Sequence, residues 1–172
     1  MWQFIGLVIF LALNTLLQLF WPWPIYGYTP QLLLISGSLI LIFIPQVRFY
    51  LALLLCVTSF DILLGEGMHT LIAVAVAAQL PLHQGGGDTH RSALKTWGVC
   101  LLTVLIFELM MTLLNLFYGM VALYQLLHTL PGQLILQSLV ILIMRRPVQI
   151  LSEILHYQRS EFENDIFKGE LG

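Results

Sequence analysis

Apolar positions come in long blocks along this chain, punctuated by short clusters of proline, glycine or charge. A helix that crosses a bilayer needs roughly 20 mostly apolar residues, with about 17 as a lower limit. Residues 2–20 meet that length and run into Trp21-Pro22-Trp23-Pro24-Ile25-Tyr26-Gly27-Tyr28-Thr29-Pro30. Aromatic rings among prolines and a glycine describe a turn at the membrane–water interface. A second, short span covers 31–44 and stops at Pro45-Gln46-Val47-Arg48. A third runs over 49–64, breaks at Gly65-Glu66-Gly67, and a fourth follows over 68–82.

Residues 83–96 form the first truly polar stretch, with Gly85-Gly86-Gly87, Asp88, Arg91 and Lys95, and read as a flexible loop. The fifth span, 97–117, is long enough alone. Residues 118–131 are apolar but hold Gly119, Gln125, His128 and the Pro131-Gly132 break, so they read as a lipid-interface helix or a re-entrant segment. The sixth span, 132–144, extends past Arg145-Arg146 to Pro147. The expected architecture is an all-α polytopic membrane protein. Six transmembrane helices fill residues 1–150, and an amphipathic, then acidic, cytoplasmic tail fills 151–172.

Composition supports the bilayer. Apolar residues make up 59% of the 172 and charged residues 9%, against roughly 45–50% and 25% in soluble domains. That excludes a soluble enzyme and a disordered chain. The net charge of −2 gives no basic surface for nucleic acid. Cys56 and Cys100 lie inside apolar runs and read as packing residues, with no disulfide framework. The first block lacks the basic start and small-residue cleavage site of a signal peptide, and reads as a retained helix.

Orientation follows from the basic residues. Arg48, Arg91, Lys95, Arg145, Arg146, Arg159 and Lys168 are all the lysines and arginines present. With six spans and a cytoplasmic N-terminus, every one falls on the cytoplasmic side, and five or seven spans break that segregation. The positive-inside rule thus predicts both termini in the cytoplasm. Small residues at Ser36, Gly37 and Ser38, and at Ala73 and Ala77, predict close helix packing. Asn14 and Gln18, spaced i and i+4, form a polar stripe on the first helix, better read as an internal hydrogen-bonding face than as a docking face.

Candidate chemistry is sparse. Glu108 lies near the middle of the fifth span and Asp61 about one turn before the end of the third. An aspartyl-protease dyad, as in lipoprotein signal peptidases, needs two acids at close range. Here the depths differ by about two turns and that family's motifs are missing. A proton relay through Glu108 is the default reading of an intramembrane acid, set against a plain hydrogen bond that fixes helix register. His69, His83, Asp88 and His90 make no compact metal motif. Gly85-Gly86-Gly87 lacks the Lys-Ser/Thr of a phosphate loop, and no Ser/His/Asp constellation is present. No cofactor is expected.

The order of landmarks carries more. Leu16-Leu17-Gln18 precedes Pro22-Trp23-Pro24, Pro30 opens the second helix, and Pro45 with Arg48 marks the inner turn. Asp61-Ile62-Leu63-Leu64-Gly65 closes the third helix, Glu108 sits in the fifth, and Arg145-Arg146 follow the last. This order resembles the rod-shape-determining MreD family, well over residues 10–82 and in layout elsewhere. His69 stands where that family often has a second glycine, and the Gly-rich loop and acidic tail depart from it.

The resemblance implies a non-enzymatic subunit of the bacterial inner membrane, within the machinery that elongates sidewall peptidoglycan. Its implied partner is the single-span protein MreC, and through it the actin-like MreB and a glycosyltransferase–transpeptidase pair. It also implies a fold similar to the substrate-binding subunits (S-components) of energy-coupling-factor transporters. The alternative function is therefore a subunit that holds a vitamin in an outward-facing pocket, drawing on Asp61, Glu66, His69 and Gln133.

Overall fold

The computed structural model of the chain describes residues 2–19, 31–64, 69–84, 92–117 and 123–169. All of its regular structure there is helical: α1 (Trp2–Leu19), α2 (Leu32–Phe43), α3 (Val47–Leu64), α4 (His69–Ala77), α5 (Gln79–Gln84), α6 (Ala93–Phe117) and α7 (Leu123–Gly169).

The bundle is built around α2. Leu33 to Phe43 are all buried, and the helix packs against α1, α3, α5, α6 and α7. A helix that is apolar all round belongs in the middle of its neighbours, and α2 has no polar side chain beyond Ser36 and Ser38. Both serines turn inward on themselves, donating to the carbonyls of Leu32 (2.6 Å) and Leu34 (2.7 Å). Twelve residues give a rod of about 18 Å, short of the roughly 30 Å hydrocarbon core. The short second block is thus the buried core helix of the bundle.

Gly37 sets how close α3 comes. A Cβ at that position would lie 2.6 Å from Leu53 Cδ1, and Leu53 is itself fully buried. Pro45 ends α2 by a different means. The residue before a proline is driven out of the helical region, and Ile44 sits at φ −134°, ψ 78°. Gln46 then restarts the chain, its carbonyl accepting the Phe49 N–H at 3.0 Å as α3 begins.

Two expectations need correction, both at prolines. The fourth block, expected over 68–82, is α4 followed by α5 with an interruption at Ala78. Pro81 lacks an N–H, and its ring crowds the carbonyl four residues back, at Ala77. Residues 123–131, expected as an interfacial or re-entrant piece, are instead the opening turns of α7. That helix carries Pro131 and Pro147 inside it without a break, so the expected boundary at 150/151 falls within one element. Val148 and Ser152 are buried, Ile154 is half exposed, and Leu155 lies outside the described side chains.

Two stretches are long and apolar enough to span a membrane, Ala93–Phe117 and Leu130–Ile154. Gly37→Val should force Leu53 from its rotamer and lower the thermal midpoint in detergent. The expected cost is about 1–3 kcal/mol. The double variant Gly37→Val/Leu53→Ala should recover part of that loss, and independent, additive losses would show that the two helices do not depend on this contact.

A candidate polar site at one end of the bundle

Hydroxyl side chains in these helices largely fold back on their own turns. Thr15, Thr58, Thr103 and Thr112 each donate to the carbonyl four residues earlier, a local bond that needs no neighbour. The amides and carboxylates are left to connect one helix with another. They gather where α1 and α3 end, α2 and α4 begin, and α6 and α7 cross.

The first connection is at the start of α2. Its N-cap residue, Gln31, makes no side-chain cap, and the first N–H groups of a helix have no partner within it. Two other helices supply the acceptors. Gln137 of α7, fully buried, accepts the Gln31 N–H at 3.0 Å. Gln18 of α1 accepts the Leu33 N–H at 3.0 Å and donates to Gln31 Oε1 at 3.4 Å.

The second connection is Asp61. It is 3% exposed, and its Oδ2 accepts the Leu71 N–H, in the first turn of α4, at 3.2 Å. The Thr70 hydroxyl and the His69 ring lie beside it. Oδ1 is buried with no hydrogen-bond partner among the described residues. A carboxylate from one helix thereby caps the next, and the negative charge faces the positive end of the α4 dipole.

The third connection joins α6 to α7. Gln133 Nε2 donates to Glu108 Oε1 at 3.4 Å, and Glu108 is only partly buried. A charge at the centre of a spanning helix costs roughly 2.5–3.5 kcal/mol on insertion scales, so one long bond to a neutral amide offsets little of it.

A cavity of about 20 Å³ lies between Gln18, Gln31, Val57, Thr70, Val74 and Phe107. That is room for about one water molecule.

The sequence candidates thus divide. Asn14 is buried and donates to its own helix at Phe10 O, 2.8 Å away, while Gln18 reaches α2. The i, i+4 stripe therefore faces inward. Asp61 and Glu108 each bond a separate helix and do not meet as a dyad. Pro45 and Arg48 belong to the opposite end of the bundle. There the exposed Arg48 donates to Gln46 Oε1 and stacks over Phe49, 5.3 Å from the ring centroid. Pro30, Gly65, Glu66, Asp88 and His90 lie outside the described residues, and no group of three or more metal-ligating side chains occurs within them.

Sequence reasoning missed Gln31 and Gln137, for which no local signal exists, because each acts across the fold. It also missed Tyr50, whose hydroxyl donates to Ala75 O and accepts from Gln79 Nε2, both at 2.9 Å, beside the Ala78 interruption. Nearness of Tyr50 to the Pro45 turn and of Gln79 to Pro81 was the available hint. No family model, curated protein or solved structure matches this chain.

Removing the remote caps should cost stability without altering the fold. Gln137→Leu is expected to destabilise by about 1–2 kcal/mol, within the range for a lost helix cap. Asp61→Ala should cost about 1–3 kcal/mol by orphaning a buried N–H. Asp61→Asn should cost less, since its amide oxygen still accepts from Leu71. Thermal midpoints in detergent read all three, and equal midpoints for Asp61→Ala and the parent protein would contradict the capping role.

Proposed function

We propose that this chain is a non-enzymatic scaffold subunit of a bacterial cell-elongation complex, similar to MreD. It sits in the inner membrane with six spans and both termini in the cytoplasm. It binds an MreC-like single-span protein and so helps couple MreB and the glycosyltransferase–transpeptidase pair. The spans are α1, α2, α3, α4 with α5, α6, and the first part of α7, the short α2 crossing where its neighbours enclose it and the bilayer is locally thinned.

The observation that carries this reading is the work done by the landmark residues. Pro45 stops the central helix, Asp61 caps α4, and Gln18 caps α2. Each holds a helix end in place and none converges with another on a shared reaction centre, which suits a protein whose task is to present a fixed surface. The exterior fits a lipid setting. Leu13, Leu55, Ile62, Leu142 and Ile143 are all more than half exposed. Only 28% of the apolar window in α6 and 17% of that in α7 is buried. The core helix of a soluble protein is mostly covered, and apolar surface on this scale marks lipid or partner contact.

The length of α7 adds to the reading. Forty-seven residues make a rod of about 70 Å, more than twice the hydrocarbon core. Past Ile154 it continues for about 22 Å as a helical arm on the cytoplasmic side, carrying Arg159 and Lys168. The vitamin-holding alternative draws on the polar end of the bundle, around Asp61, Glu66, His69 and Gln133.

Affinity purification of the tagged protein in mild detergent tests the proposal. Co-elution of an MreC-like protein with cell-wall synthases is expected. An energy-coupling ATPase module, or a bound small molecule of vitamin size, would replace this reading with the alternative. A reporter joined after Gly169 should report a cytoplasmic location, and a periplasmic signal would break the six-span arrangement.

A further inference from the structure

α6 has a buried face, an exposed face and a half-buried flank between them. Thr96, Cys100, Thr103 and Phe107 are buried and point into the bundle. A second row, Leu101, Leu105, Glu108, Thr112 and Asn115, is half-buried at every position. Its spacing is 4, 3, 4, 3, the repeat that lets a further helix pack side by side along a seam. On one flank α7 borders this row through the Gln133–Glu108 bond.

We infer that this seam is the docking site for a transmembrane helix of a second protein, one that presents a hydrogen-bond donor or a cation opposite Glu108. The inference rests on the six-span reading above, and it names the face through which a single-span partner binds. Two features select the occupant. Leu101 already packs against the core, but the half-buried Leu105 leaves apolar surface that a transmembrane helix covers. A carboxylate has about four acceptor positions, and Gln133 uses one of them from a distance of 3.4 Å, so the occupant brings a Lys, Arg, Ser, Thr, Asn or Gln at that depth. A second copy of this chain fits poorly. No Lys or Arg lies between Trp97 and Phe117, and symmetric pairing through this seam sets one Glu108 near the other, where like charges repel.

The test is photocrosslinking in intact membranes, with p-benzoylphenylalanine at Leu105 in the seam and at Ile143 on the exposed side of α7 as the control. A product formed from the Leu105 position and absent from the Ile143 position is expected. Its mass-spectrometric sequence should show one transmembrane span with a donor side chain near mid-depth. Glu108→Leu should reduce that product at least tenfold, Glu108→Gln should retain most of it, and Gln133→Leu should leave it unchanged. Equal losses in Glu108→Leu and Gln133→Leu would mean that Glu108 acts through the bundle, and would overturn the docking site. So would a crosslink only to lipid or to a second copy. A donor-bearing single-span partner unrelated to cell-wall elongation would leave the seam standing and overturn the proposed function.

Discussion

The helix at the centre of this bundle begins away from bulk water, and its opening N–H groups need acceptors that its own sequence does not supply. Gln31 makes no cap, and the residues that follow it are leucine and isoleucine. Leaving buried backbone donors unpaired costs about 1–3 kcal/mol each. The acceptors come from Gln18 at the far end of α1 and Gln137 in α7, residues 15 and 106 positions away from the groups they serve. Formation of α2 in its place therefore requires that both neighbours already stand at the right height. The depth of three helices is fixed by two amide side chains.

The rest of the polar inventory follows the same logic. Between helices this apolar, burial of apolar surface distinguishes poorly between registers, because sliding a leucine past a leucine changes little. Polar contacts can. Asp61 ties the end of α3 to the start of α4, Tyr50 ties α3 to the α4–α5 interruption, and Gln133 ties α7 to Glu108. Close approach at Gly37 sets the remaining freedom, the distance between α2 and α3. Each contact is modest, and together they select one arrangement among many of similar packing energy.

Local signals were legible in the sequence and remote ones were not. Block lengths, the Pro45 turn and the inward role of Gly37 follow from residues that act on their immediate neighbours. Asp61 serves a helix that begins within ten residues of it, so its capping role is a local one. Gln31 and Gln137 were invisible, since a glutamine in an apolar run looks the same whether it faces a helix end or nothing. Proline misled in both directions. Pro81 sits inside a packed segment, where its ring has to be accommodated by an interruption at Ala78. Pro131 and Pro147 are both exposed, and α7 continues through them.

That continuity gives α7 a particular place. Gln133 and Gln137 are one turn apart, and spacing of i and i+4 sets them on adjoining parts of one face. One reaches Glu108 on α6 and the other the start of α2. A one-residue slip or a rotation of α7 breaks both bonds together, although the helices they serve are different. Had the chain ended its last helix at Pro131, the residues before it would be free of that register. Because the helix is unbroken, the same two amides and the residues beyond Ile154 belong to one element.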